Sequence, residues 1–359
     1  MALAMLRPLT FPCTPVPGLV SIIIPTHQRD HLIGATLDSV RNQSYPTWEL
    51  LVVEDASQGA TESIVRDFSR TVSQRVQYER NAVNLGAAAT RNVAFGQARG
   101  EFVALLDSDD RWLPYHLEQL VGTIGHAGTD IAYANVRLVE DGTDRDLGTY
   151  GPSPEEVHDF PVTLYRRNFV VPSASLMKRE VLRRVGPWSD EYLYCEDFDF
   201  WLRCVCCGIT FAHCDDVTCL YRKSHEGATT QKLAGTIEEV AYTIKRYMNA
   251  TDLDGKRIRE YAIENFVAAS NLHLKSDPQR DPSADCYRGG QMLLEAWKFD
   301  WTQYKHLSKG LRTCVSEKLK EWLGLPREDR TRFQARIPNQ PIPRPVMAEE
   351  SIPARRMAA

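Results

Sequence analysis

The sequence has no strong excess of either charge and no long apolar run, and both absences exclude classes of function. With 43 Lys and Arg against 47 Asp and Glu, the formal net charge is -4. The chain therefore lacks the basic character that nucleic-acid binding requires. Apolar runs such as VSIII are far too short to cross a bilayer. The first 18 residues, MALAMLRPLTFPCTPVPG, lack the charged start and apolar stretch of a secretory signal, so we expect a cytoplasmic protein.

A complete zinc motif of two C-x-x-C pairs is also missing, although the chain has nine Cys, six of them between Cys195 and Cys219. An odd total without a secretory signal argues against a disulfide framework. Cys204 and Cys207 have the spacing of half a zinc site, but no second C-x-x-C pair follows. We expect reduced thiols packed in the core, and a further role of the cluster is left open.

Several nucleotide and hydrolase motifs are absent. The turn after the first predicted strand is PTHQRD, not G-x-G-x-x-G, and no G-x-x-x-x-G-K-[ST] occurs. G-x-S-x-G and H-E-x-x-H are missing as well. The sequence thus gives no support for a Rossmann dinucleotide site, a P-loop nucleotidase or these hydrolase classes.

Apolar patterning in the first third of the chain alternates between strands and helices. Predicted strands cover 19–24, 48–55, 76–80 and 101–107, with helical spacing in 31–43, 63–70 and 86–98 between them. Such alternation predicts an α/β layered sheet, mostly parallel and Rossmann-like, flanked by helices.

The rest of the chain is less regular. It predicts a helix over 117–124, a strand over 130–140, a loop over 141–154, a strand entering a short helix over 173–179, a helix over 196–208, two strands over 209–214 and 217–223, and several helices over 234–325. Residues 326–359 are rich in proline and charge without periodicity, which predicts a disordered tail.

Three carboxylates stand within four positions at the end of the fourth predicted strand: Asp107, Asp109 and Asp110. A single Asp there would be an ordinary turn residue or helix cap. Three repel one another unless a cation is present, and Mg²⁺ or Mn²⁺ takes carboxylates together with substrate phosphates. The sequence thus predicts a phosphate-binding metal site. For Asp110, capping the helix after Pro114 and orienting its neighbours are both left open.

Polar residues also follow the first two predicted strands: Thr26 and Arg29 after the first, Glu54 and Asp55 after the second. In parallel sheets, ligands bind beyond the carboxyl ends of the strands. We therefore expect these residues and the acidic cluster to face one crevice.

Four ordered segments, VSIIIPTHQR, LLVVEDAS, NLGAAATRN and LLDSDD, resemble the family 2 glycosyltransferases of the GT-A fold. That family carries P-T/S-x-N-R after the first strand, D-D/G-S after the second, an N-x-G-x-x-x-A-R-N helix start and an Asp-x-Asp metal motif. The resemblance covers residues 19–230. His27-Gln28 stands where Tyr-Asn is more usual, and Thr90 replaces an Ala, but neither change removes a charge that the chemistry needs.

The resemblance implies a donor site for a nucleoside-diphosphate sugar, with a UDP-sugar favoured. The residues implied to bind it are Thr26, Arg29, Asp55, Asn84, Gly86, Arg91, Asp107 and Ser108. Asp109 and Asp107 are the implied ligands of Mg²⁺ or Mn²⁺, and His225 matches a further family segment loosely. Alternatives stay open: a surface ion pair for Arg91, a turn cap for Asp55 and a solvated loop position for His225.

A later segment, YCEDFDFWLR at 194–203, matches the family region in which an acidic pair supplies the catalytic base. Since an acceptor hydroxyl is a poor nucleophile, one positioned carboxylate must take its proton, and a single displacement inverts the anomeric centre. We predict Asp197 as the base and Glu196 as a contact to the acceptor. The pair also suits a helix N-terminus, which is the structural alternative. Trp188 and Trp201 are either a sugar-stacking wall or core aromatics, with the core favoured.

The predicted division is an N-terminal arm (1–18), a GT-A domain (19–232) with nucleotide-binding (19–130) and acceptor (131–232) halves, a helical extension (233–325) and the tail. The predicted function is a metal-dependent, inverting glycosyltransferase of the hexosyltransferase type in glycan or glycoconjugate biosynthesis. Its acceptor is a glycan, lipid-linked sugar, small molecule or peptide. Acceptor choice is expected to reside in residues 141–172 and in the helical extension. For the helices after residue 234, a homodimer interface and a peripheral contact at the inner face of the membrane are both left open.

Two rival functions remain at this stage. A sugar-1-phosphate nucleotidyltransferase shares the architecture and a metal aspartate, but usually opens with a Gly-rich, Arg-containing loop that PTHQRD does not supply. A non-catalytic sugar-nucleotide-binding protein would not need Asp109 or the Glu196-Asp197 pair.

Overall fold

A nine-stranded sheet organises the protein, whose computed structural model describes residues 9–223, 233–274 and 282–299. The strands are β1 Val16–Thr26, β2 Trp48–Glu54, β3 Val76–Arg80, β4 Gly100–Leu105, β5 Arg111–Trp112, β6 Ile131–Glu140, β7 Asp146–Tyr150, β8 Ser175–Lys178 and β9 Phe211–Lys223. Their order is β3-β2-β1-β4-β8-β6-β9-β5, with β7 paired to β6.

Ten α-helices accompany these strands in the described ranges. They are α1 Asp30–Arg41, α2 Thr61–Ser69, α3 Ala87–Phe95, α4 His116–Ala127, α5 Pro154–His158, α6 Arg179–Val185, α7 Glu196–Cys206, α8 Leu233–Tyr247, α9 Gly255–Leu274 and α10 Pro282–Phe299. Nowhere in those ranges does a helix have both the length and the apolar character that crossing a bilayer demands.

The predicted α/β architecture is confirmed. Strands β1 to β4 pair in parallel, as strand–helix alternation requires. Beyond β4 the sheet is mixed, because β8 runs antiparallel to both β4 and β6. Successive side chains of β1 point to opposite faces of the sheet. Ile22 and Ile24 pack in the core with α1 and α4 on one face, and Ile23 packs in the core with α3, α6 and α7 on the other.

Two local predictions in the second half are wrong. The expected loop 141–154 contains β7, whose residues are almost all exposed and so lack an apolar alternation. The two strands expected over 209–223 are one strand, β9. Asp215 and Asp216 suggest a turn in the sequence, but they occupy an irregularity in the β6–β9 register, where Asn135 donates to the Asp215 carbonyl at 2.7 Å.

The predicted helical extension begins with α8, α9 and α10, which share a small core containing Ala241, Phe266 and Met292. Helix α8 also contributes Ile244 to the core beside α7. The helix expected near the end of the extension and the tail 326–359 lie outside the described residues.

Candidate active site

A cleft of about 710 Å³ opens at the carboxyl ends of β1, β2 and β4. Parallel strands bring these ends to one edge of the sheet. The predicted site residues that line the cleft are Thr26, Arg29, Asp55, Arg91, Asp107, Ser108, Asp109, Glu196 and Asp197. The single crevice expected from the strand-end residues therefore exists for Thr26, Arg29, Asp55 and the acidic cluster, and the acidic pair from the second half of the chain shares it. The expectation is wrong for Glu54, which is buried outside the cleft lining, where its carboxylate accepts from Ser57 Oγ and from Arg80 Nε at 3.0 Å.

Strained backbone marks the same edge. Gln28, just after β1, has φ 54°, and Ala56, just after β2, has φ 55°. Left-handed conformations are uncommon for residues other than Gly and concentrate at ligand-binding turns. His27 connects the turn after β1 to the turn after β2, because its Nδ1 lies 2.6 Å from the carbonyl oxygen of Asp55.

The Asp55 carboxylate organises the loop before α3. It accepts from the backbone N–H groups of Leu85 and Gly86, both at 2.8 Å, and from Asn81 Nδ2 at 2.9 Å. Gly86 has φ 83° there, a conformation that favours glycine. The Asp55 carboxylate thus stabilises the loop 81–86 and does not cap its own turn. Asn84 is exposed outside the cleft lining, with its amide nitrogen 3.4 Å from His27 Nε2.

Thr26 offers an unusual hydroxyl to the cleft. Its side chain is 3% exposed, and its Oγ1 has no hydrogen-bond partner among the described residues. Buried polar groups are nearly always paired, so an orphan hydroxyl at a cleft is suited to a ligand.

The three neighbouring carboxylates have different environments. Asp107 accepts from Arg91 Nη2 at 2.6 Å, and Asp109 lies 3.7 Å from Arg29 Nε. Asp110 is buried and accepts from the Arg222 backbone N–H at 2.9 Å. Burial and then the charges of Asp109 and Asp107 raise its pKa well above the ordinary value. The helix-cap role left open for Asp110 is wrong, because the α4 N-cap is Tyr115.

Asp107 and Asp109 are the two members of this cluster whose side chains reach the cleft with appreciable exposure, 28% and 20%. Two carboxylates suit Mg²⁺ or Mn²⁺, which completes its shell with water and phosphate oxygens. The part of the chain that the structure describes holds no group of three His, Cys, Asp or Glu side chains arranged for a metal. Two carboxylates are a donor set that such a cation takes when substrate phosphates supply further oxygens. His225 lies outside the described residues.

Arg91 links the two halves of the cleft. Its side chain is 5% exposed and donates to Asp107 and, from Nη1, to Glu196 Oε1 at 3.1 Å. The guanidinium also lies over the Trp188 ring at 4.7 Å. Burial opposes its charge, but Asp107 and Glu196 outweigh burial and raise its pKa. The surface ion pair left open for Arg91 is wrong.

Asp197, the predicted base, is the second residue of helix α7. Its Oδ2 accepts from Asn168 Nδ2 at 2.9 Å and its Oδ1 from the Phe198 N–H at 2.7 Å. Burial, followed by the charge of Glu196, raises the pKa of Asp197 to about 7, against the opposing effects of the Phe198 N–H, Arg91 and Asn168. A carboxylate with a pKa near neutral is well matched to general-base work.

Other aromatic and thiol side chains prove to be core. Trp188 and Trp201 are 1% and 0% exposed, and the Trp201 indole donates to the Val170 carbonyl at 3.0 Å. Neither forms a sugar-stacking wall. Cys195 and Cys204 are buried in the same core, and burial raises the pKa of both thiols.

Sequence patterns did not indicate three residues of this site: Asn81, Asn168 and Thr236. Asn81 directly follows β3 and belongs to the site through its hydrogen bond to Asp55. Asn168 and Thr236 belong to segments without a motif, and Thr236 comes from α8.

Residues 21–186 match the profile of the family described as Glycosyl transferase family 2. The chain carries a family 2 glycosyltransferase domain. This confirms the resemblance seen in the sequence. The profile ends before Glu196 and Asp197, so their roles do not follow from it.

Named relatives and solved structures agree with this membership. The chain is 29% identical over 215 residues to the UDP-Glc:alpha-D-GlcNAc-diphosphoundecaprenol beta-1,3-glucosyltransferase WfgD of Escherichia coli, covering 60% of this chain and 81% of that one. It is 33% identical over 135 residues to the putative teichuronic acid biosynthesis glycosyltransferase TuaG of Bacillus subtilis, covering 37% and 53%.

Two structures share the fold. S. aureus TarS 1-349 in complex with UDP-GlcNAc matches with a TM-score of 0.62 at 17% identity, covering 85% of this chain and 92% of that one. The mannosyltransferase PcManGT from Pyrobaculum calidifontis, in complex with GDP-Man and Mn²⁺, matches with a TM-score of 0.50 at 19% identity, covering 85% and 87%.

Proposed function

We propose that the protein is a metal-dependent, inverting glycosyltransferase of the hexosyltransferase type, which moves a sugar from a nucleoside-diphosphate sugar to an acceptor hydroxyl in glycan or glycoconjugate biosynthesis. One observation carries the proposal: Asp197, with its raised pKa, lies in the same cleft as Asp107 and Asp109. The cleft therefore joins a proton acceptor to a cation-binding pair.

The nucleotide end is the edge formed by β1, β2 and β4. Thr26 supplies a buried hydroxyl there, and Arg29 a cation. A UDP-sugar is the donor we favour, because WfgD is named for UDP-Glc and the TarS structure is a complex with UDP-GlcNAc. Because the mannosyltransferase structure is a complex with GDP-Man, GDP-sugars are also included among the donors to be tested.

The transfer step needs one carboxylate. Asp197 takes the proton of the acceptor hydroxyl while that oxygen attacks the anomeric carbon from the face opposite the diphosphate. The bond between the anomeric carbon and the diphosphate oxygen breaks, its electron pair leaves with the nucleoside diphosphate, and the configuration inverts. Asn168 and the Phe198 N–H hold the Asp197 carboxylate in one orientation.

Asp109 and Asp107 would hold Mg²⁺ or Mn²⁺, and the bound cation would neutralise charge on the departing diphosphate. Arg91 fixes Asp107 on one side and Glu196 on the other, so its part is to orient both carboxylates. Glu196, thus fixed, is placed to contact the acceptor.

Product analysis tests this proposal. Protein, Mn²⁺ and a panel of UDP- and GDP-sugars are mixed with and without acceptor alcohols, and released nucleotides are separated chromatographically. Release of nucleoside diphosphate that increases with acceptor supports a glycosyltransferase. Pyrophosphate would identify a nucleotidyltransferase, and nucleotide binding without any release would identify a binding protein.

The division of the chain at 19–232 and 233–325 is part of the same proposal. We also propose a cytoplasmic location with peripheral contact at the membrane, since the name of WfgD gives a diphosphoundecaprenol-linked acceptor. A homodimer through the helical extension remains the proposed assembly.

A further inference from the structure

Helix α8 belongs to the helical extension and lies beyond the family match at 21–186, yet it forms one side of the cleft. Thr236 and Val240 line the cleft together with Tyr194, Glu196 and Asp197. The side of the cleft next to the proposed base is therefore built from this chain's own extension.

The contact between α8 and the segment before Asp197 is close. A Cβ atom on Gly235 would lie 2.8 Å from Tyr194 Cε2, nearer than carbon atoms approach. The Glu239 carboxylate accepts from the Tyr194 N–H at 2.8 Å and from the Leu193 N–H at 3.1 Å. Thr243 Oγ1 lies 3.5 Å from Cys195 Sγ. Residues 235, 236, 239, 240 and 243 share one helical face, so this face both positions Tyr194 and lines the cleft.

The cleft lining combines aromatic residues with polar residues. Tyr150, Tyr194 and Tyr221 line the cleft together with the polar residues Asn168 and Thr236. A pyranose has an apolar face of C–H groups bordered by hydroxyls, so it needs rings beside hydrogen-bonding groups. A lipid chain would need a wholly apolar surface, which the lining of this cleft is not.

We propose that Tyr194 and the α8 residues Thr236 and Val240 form an acceptor subsite that binds a glycosyl residue. The inference rests on the proposed function, because it takes Asp197 as the base toward which the acceptor hydroxyl points. Gly235 keeps α8 close enough for Tyr194 and Thr236 to contact the same sugar.

The test uses the full chain with UDP or GDP, whichever calorimetry shows to bind, and Mn²⁺. Methyl glycosides of glucose, galactose, mannose and N-acetylglucosamine serve as probes in saturation-transfer NMR. The variants are Gly235→Ala, Thr236→Val and Thr236→Ser. Gly125→Ala is the matched control, since Gly125 is an exposed helical glycine whose added Cβ would meet no atom within 4 Å.

At least one methyl glycoside should bind the wild type, and Gly235→Ala and Thr236→Val should each weaken that binding about tenfold. Thr236→Ser and Gly125→Ala should bind as the wild type does, and nucleotide binding should be the same in all variants. The inference is overturned if no methyl glycoside binds, or if Gly235→Ala and Gly125→Ala bind the glycoside equally. Failure of the proposed function is a separate result: no nucleoside diphosphate is released from any sugar nucleotide.

Discussion

Arg91 donates to Glu196 Oε1 at 3.1 Å, across 105 positions of sequence. The same guanidinium donates to Asp107 at 2.6 Å and lies over Trp188. One buried guanidinium thus holds the carboxylate of Asp107, which follows β4, next to the carboxylate of Glu196 in α7. Because removal of the cation would leave two partly buried carboxylates unpaired, Arg91 is central to both stability and geometry.

Replacing Arg91 with Met should therefore be costly. We expect Arg91→Met to lower the free energy of unfolding by about 3 kcal/mol, measured by urea titration. Arg66→Met is the matched control, because the Arg66–Glu62 pair is exposed on both sides, and should cost less than about 1 kcal/mol. Equal losses in the two variants would show that the Arg91 bridge is unimportant for stability.

A substitution at Thr26 should weaken nucleotide binding while leaving the stability of the fold nearly unchanged. Thr26→Val removes a hydroxyl that has no partner among the described residues, so the free energy of unfolding should change by less than about 1 kcal/mol. Nucleotide affinity, measured by calorimetry, should fall about tenfold.

Thr36→Val provides the contrast. Its hydroxyl donates to the Asp110 carbonyl at 2.8 Å, and its loss should cost about 1–3 kcal/mol of stability. If Thr26→Val proved the more destabilising of the two, or bound nucleotide normally, the role given to the orphan hydroxyl would be wrong.

The transfer rate should depend on pH through Asp197. Only the ionised carboxylate takes a proton, so the rate should rise with pH and level off above about 7, the pKa of Asp197. Asn168 lowers that pKa by donating to the carboxylate. Asn168→Ala should therefore raise the pKa and move the midpoint of the rate profile to higher pH.

Asn249→Ala, at an exposed position, should leave the midpoint unchanged. A slower Asn168→Ala enzyme with the wild-type midpoint would mean that Asn168 acts only through the fold.

Asp109 should be needed for cation-dependent nucleotide binding. In calorimetric titrations, we expect Asp109→Ala to lose the part of UDP or GDP affinity that Mn²⁺ confers on the wild type, because a carboxylate ligand is gone. Asp38→Ala, which removes an exposed carboxylate on α1, should titrate normally. An unchanged Mn²⁺ effect in Asp109→Ala would exclude the metal role.

The edge of the cleft proposed to bind the nucleotide was predictable, because its residues directly follow β1, β2 and β4, and parallel strands end together. The same reasoning brought Thr26, Asp55 and Asp107 to one cleft. It could not predict that Asp55 is fully engaged by the 81–86 loop, since those hydrogen bonds depend on how that loop closes.

Long-range packing explains what the sequence did not indicate. Asn168 lies in a segment without periodicity, and its contact with Asp197 exists only once that segment packs beside α7. Thr236 reaches the cleft because Gly235 lets α8 approach Tyr194 closely. The position of Asp110 left open a helix cap or an orienting role, but its carboxylate accepts from the backbone N–H of Arg222, 112 residues away.

The most direct test of the central claim is the Asp197→Asn variant, compared with Asp190→Asn, an exposed neighbour in the same segment. The measurement is acceptor-dependent release of nucleoside diphosphate, with nucleotide affinity determined in parallel by calorimetry. We predict that Asp197→Asn loses transfer by at least about a hundredfold while nucleotide affinity stays at the wild-type value, and that Asp190→Asn retains both. Transfer by Asp197→Asn at the wild-type rate would contradict the account.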